Sequence, residues 1–354
     1  RYSDTATAVE GISGATQLGV GAQQACVVLS GGDVSCWGND REGQLLNGQS
    51  TREFDKPVET LVSGATQVVG GGFFSCAMLS SGHVECSGDN NDGQLGDGKT
   101  GGGGPNKPVE VLGLTEAVEV AAGLTEACAL LADGHVECWG RGESGELGNG
   151  HKVNSSTPVE VQGISDAIQI TAGPSGGDPC ALLATGHVEC WGHGEHGQLG
   201  DGSATDSDVP VEVVGVSEAT HVSSGDSDAC VLLSDGHIDC WGSDSSGLGD
   251  GSSTDSDVPV EVAGIINATG VASGTTQSCA ALPTGHVECW GGNGYGQLGN
   301  GTVIPSATPV EVLGVDEVAS LSAGGVESCA LLVSASVQCW GSNEEGQLGN
   351  GTFI

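Results

Sequence analysis

The chain has 354 residues, with 64 glycines and 11 prolines, and sets 46 acidic side chains against 8 basic ones, for a net charge of -38. Nucleic-acid and anionic-lipid binding need a basic face, so this balance excludes both. No stretch approaches the roughly 20 apolar residues of a membrane span.

The first residues do not read as a signal peptide, and a start at Arg1 fits a mature or trimmed form. Within them, Ala8-Val9-Glu10-Gly11-Ile12 resembles a segment that recurs down the chain: Pro57-Val58-Glu59, Pro108-Val109-Glu110, Pro158-Val159-Glu160, Pro210-Val211-Glu212, Pro259-Val260-Glu261 and Pro309-Val310-Glu311. The chain stops at Ile354, before a seventh copy. A strand at about residues 7–12 is therefore expected to complete the last unit and remove its open sheet edge.

The repeating unit is clearest in its third copy. Val118–Ala122 alternates, and Cys128–Leu131 is a short apolar run suited to a buried strand. Ala132-Asp133-Gly134 forms a hairpin loop, His135–Trp139 returns, and a glycine-spaced loop ends in Glu146-Leu147-Gly148. Pro158 then opens a fourth strand. Seven such units, with a period near 50, predict one all-β, seven-bladed propeller of four-stranded antiparallel blades over residues 1–354.

Two cysteines lie ten apart in every unit: Cys26 and Cys36, Cys76 and Cys86, Cys128 and Cys138, Cys180 and Cys190, Cys230 and Cys240, Cys279 and Cys289, and Cys329 and Cys339. A three-residue loop centred on Asp133 sets Cys128 opposite Cys138. Opposed residues have Cα atoms about 4.5–5.5 Å apart, within the roughly 4.4–6.8 Å that a disulfide accepts. Seven cross-strand disulfides follow, each contributing about 3 kcal/mol, in an oxidising compartment. Fourteen buried free thiols are the alternative. There is no C-x2-C pair for zinc.

Three units break the pattern. Ser87 replaces the tryptophan found at Trp37, Trp139, Trp191, Trp241, Trp290 and Trp340. Gly247-Leu248-Gly249 lacks the usual Gln or Glu, and Ala335 replaces the turn glycine.

His83, His135, His187, His237 and His286 share one position, each with an acid two residues on: Glu85, Glu137, Glu189, Asp239 and Glu288. Residues i and i+2 share a strand face, but five dispersed copies read as solvated pairs and not as one catalytic constellation. No catalytic residue is assigned. His193 and His196 flank Glu195, too few ligands for a metal site. The Asp-rich loops hold weak calcium candidates, Asp201, Asp206, Asp208, Asp250, Asp255 and Asp257, though not at EF-hand spacing. Asn154, Asn267, Asn300 and Asn350 lie in glycosylation sequons. All eight bases fall at or before Lys152, so one arc of a ring carries mixed charge and the other is acidic.

The segments 128–140 (CALLADGHVECWG), 192–202 (GHGEHGQLGDG) and 291–301 (GGNGYGQLGNG) resemble the regulator of chromosome condensation repeat family, over essentially the whole chain. That resemblance implies a seven-bladed propeller, and the cysteine-bearing repeats look like those of secreted bacterial members. Founding members exchange nucleotide on a small GTPase and sit on chromatin, but no basic tail or wedge-like insertion occurs here. A bacterial protein of the same fold inhibits a beta-lactamase through loops on one face. Fold does not fix function. The expectation is a secreted or cell-surface, non-enzymatic scaffold that binds a protein or self-associates. Its contact loops would be Arg52–Lys56, Lys99–Lys107, Lys152–Thr157, Asp201–Asp208 and Asp250–Asp257. A calcium-dependent or glycan-binding surface protein, and an enzyme using the central channel, are the alternatives.

Overall fold

The structure, a computed structural model, describes residues 1–50, 52–101, 106–244 and 247–353. Seven four-stranded antiparallel sheets form a closed ring. The third blade runs outward through Ala117–Ala122, Glu126–Leu131, Val136–Gly140 and Ser155–Glu160. The seventh blade takes Val318–Ala323, Glu327–Leu332 and Val337–Ser342 from the C-terminal end, and Tyr2–Ala8 completes it.

The closing strand lies earlier than its sequence likeness suggests. Thr7 pairs with Cys339 and Ala8 with Gln338, as Val310 pairs with Cys289 and Glu311 with Glu288. Ala6-Thr7-Ala8 thus takes the place of Pro-Val-Glu, two residues ahead of Ala8-Val9-Glu10. A two-residue shift keeps every side chain on its own face, so alternation alone cannot set that register. In five blades the outermost strand also begins before its proline, at Ser155 in the third. The proline is tolerated there because the strand is an edge with a register shift.

The hairpin is as expected. Leu131 N donates to His135 O, Leu130 pairs with Val136, and Cys128 pairs with Cys138 in the narrow, non-hydrogen-bonded position. All seven disulfides form within their own blades: Cys26 with Cys36, Cys76 with Cys86, Cys128 with Cys138, Cys180 with Cys190, Cys230 with Cys240, Cys279 with Cys289, and Cys329 with Cys339. No cysteine is left as a free thiol. One detail of the expectation is corrected. The paired Cα atoms are 4.0–4.1 Å apart, closer than the roughly 4.5 Å of an unbridged non-hydrogen-bonded pair. The second cysteine of each pair also faces the outermost strand. Cys36, Cys138, Cys190, Cys240 and Cys289 each stand beside a register shift there, while Cys86 pairs with Val109 of a two-residue strand. The bridges sit in the core with little or no exposure. The turn position held by glycine elsewhere has φ +62° at Ala335.

The Gln-Leu-Gly segment is a seam device. In six blades the side-chain oxygen of its first residue accepts the amide two residues earlier, as Gln198 does for His196 and Glu146 for Ser144. The leucine is fully buried. The backbone oxygen of the first residue accepts the indole N–H of the next blade: Trp37 to Gln347, Trp139 to Gln94, Trp191 to Glu146, Trp241 to Gln198 and Trp340 to Gln297, at 2.8–3.0 Å. The glycine is left-handed and presses on that indole, so a Cβ at Gly349 would lie 2.8 Å from Trp37 Nε1. Where Gly247 stands for Gln in a shortened loop, the Trp290 indole finds no acceptor among the described residues.

Around the axis the innermost strands line a channel of about 220 Å³. Side-chain amides there copy strand pairing across seams. Gln17 bonds both the N and O of Val68, Gln67 those of Val120, and Gln169 those of Val222. Glu119 holds the same position and accepts from Ile170 N at 3.1 Å. Burial pushes its carboxyl up to about 7.

Candidate functional site on the loop face

One face of the disc carries the turns between the first and second strands and the long loops after each Trp-Gly. The hairpin turns occupy the other face. Two residues before the first cysteine of each unit, at the loop-face end, stands a ring of buried side chains: Gln24, Phe74, Glu126, Asp178, Asp228, Gln277 and Glu327. Gln24 donates to Gly71 O and Phe74 O of the next blade, and Gln277 to Glu327 O. Glutamine suits this position because it can donate to a carbonyl. A carboxyl can do so only when protonated, and burial drives Glu327 well above its ordinary range.

The seam between the third and fourth blades concentrates this chemistry. Glu126, Glu146 and Asp178 are buried, with His193 and Arg141 half-exposed at the rim. His193 Nδ1 lies 3.1 Å from Asp178 Oδ1, its Nε2 is 3.9 Å from Glu146 Oε1, and Arg141 Nε is 3.5 Å from the same oxygen. The Asp178 carboxylate raises His193 to about 9. Burial lifts Asp178 to about 6 against that pull, so the pair is ionised at neutral pH. Burial, with the Glu146 charge, pushes Glu126 up to about 8. The arrangement can bind and release protons where two blades meet.

Of this cluster the sequence points to His193, beside Glu195 and His196, and not to its partners. His196 does not join it but reaches Asp255 of the fifth blade at 3.6 Å. The signal for the rest was positional: Glu146 stands where other units with this motif carry Gln, and Glu126 and Asp178 align with Gln24 and Gln277.

The five turn histidines do not pair with the acid two residues on. His83, His187 and His286 approach Glu110, Glu212 and Glu311 of the outermost strands at 2.9–3.0 Å, while His135 and His237 approach Asp133 and Asp235. The cause lies in the register. Glu85, Glu137, Glu189, Asp239 and Glu288 each stand directly opposite a second carboxylate, and in three blades it is that second carboxylate, Glu110, Glu212 or Glu311, that the histidine approaches.

The Asp-rich loops are also structural. Asp201, Asp250, Asn300 and Asn350 fill one position, where a side-chain oxygen accepts the amide two residues on, as Asn47, Asp97 and Asn149 do in the remaining blades. Asn154, Asp206 and Asp255 fill another, accepting from Gly142, Gly194 and Asp244. Asp208 and Asp257 lie on the outermost strands and accept through their backbone oxygens from Gly150 and Gly202 of the preceding blade. The calcium candidates are thus split over three places, and no group of three or more His, Cys, Asp or Glu among the described residues is placed to hold a metal ion. Asn154 and Asn267 are exposed, whereas Asn300 and Asn350 are half-buried in their turns. Four of the five expected contact loops carry these caps or seam bonds on the loop face. Within Lys99–Lys107, residues 102–105 lie outside the described residues.

A ring of seven such sheets defines a seven-bladed β-propeller. Two models of the regulator of chromosome condensation (RCC1) repeat match it, one at residues 133–176, 185–232 and 284–331, the other at 65–94 and 219–248. The chain belongs to the RCC1 repeat family. It is similar to the ultraviolet-B receptor UVR8 of Arabidopsis thaliana, 28% identical over 202 residues covering 55% of this chain and 45% of that protein. It also resembles RUG3, a mitochondrial RCC1 domain-containing protein of the same plant, 31% identical over 37% of this chain and 30% of that protein. The chain therefore spans less than half the length of these relatives. Among solved structures, human WBSCR16 superposes with a TM-score of 0.80 at 21% identity, covering 94% of this chain and 87% of that one. Yeast RCC1 (Prp20), solved with Kap60 bound, gives 0.76 at 20% identity, covering 94% and 81%.

Proposed function

We propose that this chain is a secreted, non-enzymatic, disulfide-stapled disc that binds a cationic protein segment on the loop face of its fourth and fifth blades. The carrying observation is the charge of that arc. Residues 161–261 hold 18 acidic side chains and no Lys or Arg, and Glu195, Asp201, Asp206, Asp208, Asp250, Asp255 and Asp257 among them belong to the loop-face segments. Its Asp-bearing loops are fixed by caps and seam bonds, so they present carboxylates from a rigid frame at little ordering cost. Seven buried disulfides fit an oxidising, extracellular setting. The similar Prp20 is described in complex with Kap60 and as binding Gsp1p and histones, which makes protein binding a use this fold supports.

The test is isothermal titration with an oligolysine probe, followed by capture from the native surroundings. Binding should weaken steeply with salt and fall at least tenfold when Asp208 and Asp257 are changed together to Asn. Binding that ignores both salt and the substitutions would sink the reading.

A further inference from the structure

The repeat allows the same scaffold position to be compared blade by blade, and one blade departs in an unexpected direction. The residue two before the Gln of Gln-Leu-Gly is Glu42, Asp92, Ser144, His196 and Glu345 in five blades, each with its amide bound to that Gln or Glu. In the sixth blade it is Tyr295, held by the same bond to Gln297. This position meets the outermost strand of the next blade. Asn154 donates to Asp92 there at 2.9 Å, and His196 lies 3.6 Å from Asp255. In the seventh blade the register puts Tyr2 in the place of Asn154 and Asp255, because Ser3 pairs with Gly341 as Ser155 does with Gly140 and Ser256 with Gly242. At the seam between the sixth and seventh blades the register therefore gives Tyr2 the place opposite Tyr295 that Asn154 takes opposite Asp92 and Asp255 opposite His196.

The surroundings are apolar too. Val303 and Ile304 take the places of Lys152-Val153, Ala204-Thr205 and Ser253-Thr254. Ile304 is 69% exposed, and Tyr2, Tyr295, Val303 and Leu313 are each more than 40% exposed. The patch is continuous across the seam: Gly301 N donates to Asp4 O at 2.7 Å, Ala6 N to Leu313 O at 3.3 Å, and Asn293 Nδ2 to Ile304 O at 3.0 Å. From 262 to 310 there is one carboxylate, Glu288, and no Lys or Arg, in a chain of charge -38. Glu288 lies on the strand leaving the hairpin turn, toward the other face.

We infer that this patch docks a second copy of the chain. A two-fold contact sets a surface against itself. A carboxylate-rich surface is self-repelling, whereas an uncharged apolar one is self-complementary. For a molecule this acidic, the loop face of the sixth blade, whose carboxylates Glu288 and Glu311 lie toward the other face and whose neighbouring strand brings Asp4 with Arg1, is where two copies can meet with few carboxylates opposed. The surface is separate from the acidic arc proposed to bind a cationic segment, so either reading can fail alone.

The experiment is sedimentation equilibrium of the whole chain across micromolar to millimolar concentration, at low and at about 1 M salt. Self-association should strengthen with salt, because screening removes the long-range repulsion while apolar contact persists. An ion-paired interface would weaken instead. Tyr295→Glu with Ile304→Asp should leave a monomer with an unchanged unfolding midpoint, whereas Ile266→Asp, also in the sixth blade but away from this seam, should leave association intact. Should the paired variant unfold, Ile304→Ser alone should still weaken association at least tenfold. A chain that stays monomeric throughout, an association that weakens with salt, or one that survives these substitutions overturns the proposal. Loss of binding to another protein or a glycan in the paired variant, with no self-association in the parent chain, assigns the patch to a different occupant and also overturns it.

Discussion

Leu46 and Ser87 occupy, at the seam between the first and second blades, the two positions that are glycine and tryptophan at the other six seams. Both are fully buried. Leu46 keeps the left-handed backbone of the glycine it replaces, at φ +58°. Ser87 Oγ donates to Gly43 O at 2.8 Å, in place of the indole bond to the carbonyl one residue later. A branched side chain supplied from the first blade fills space that elsewhere is filled by an indole from the following one.

Each half of this exchange should therefore fail alone. Leu46→Gly removes a buried side chain and should cost about 2–4 kcal/mol, less about 1 kcal/mol of relieved backbone strain. Ser87→Trp drives an indole into Leu46 and should cost at least about 2 kcal/mol. The double substitution should recover most of both losses, which denaturant unfolding of the four proteins would measure as a coupling of more than about 1.5 kcal/mol. Additive losses would show that the two positions do not share one space.

Stability should fall as pH rises from about 5 to 9. Burial raises Asp178 to about 6, Glu119 to about 7 and Glu126 to about 8. The folded state therefore holds these protons more tightly than the unfolded chain, and stability declines from the unfolded values near 4 up to each folded value. His193, raised to about 9, acts in the same direction: its ion pair contributes fully below about 6.5 and is lost as pH rises through 9. Calorimetry at constant ionic strength would read the slope. Glu119→Gln, which installs the residue used at positions 17, 67 and 169, should stabilise by on the order of 1–3 kcal/mol at pH 8 and flatten that slope. A midpoint that rises from pH 5 to 9 would contradict the assignment.

Ala335→Gly should stabilise the chain by about 1 kcal/mol, because alanine at φ +62° carries a penalty that glycine avoids. The gain should appear in denaturant unfolding without change in the number of disulfides. Loss of stability would mean that the alanine methyl makes contacts that outweigh the strain.

Non-reducing intact mass should show fourteen hydrogens fewer than the fully reduced chain, two for each bridge. Replacing Cys128 and Cys138 together by Ser should cost about 2–3 kcal/mol, the scale for so short a loop. A single unpaired thiol in the folded, unreduced protein would break the blade-by-blade pairing.

The fifty-residue period, the strand count, the hairpin and the cysteine pairing were legible in the amino-acid order because each depends on residues fewer than about fifteen apart or on their plain repetition. A three-residue turn leaves Cys128 no neighbour but Cys138, and the same turn does so for Cys36, Cys86, Cys190 and Cys240 with the cysteines ten residues before them. Other features depend on residues about fifty or more positions apart, and local spacing is silent on them. The Asp-rich loops looked like ligand clusters because the run of letters hides that Asp201, Asp206 and Asp208 serve three different amides or seams. Tertiary structure alone decided that Glu126, Glu146, Asp178 and His193 share one seam, that Leu46 stands in for an indole, and that Asp4 and Ala6 of the closing strand meet the sixth blade. These contacts join neighbouring blades, and which side chains meet there is set by how the ring closes, with a two-residue register at Tyr2–Ala8 that alternation cannot distinguish.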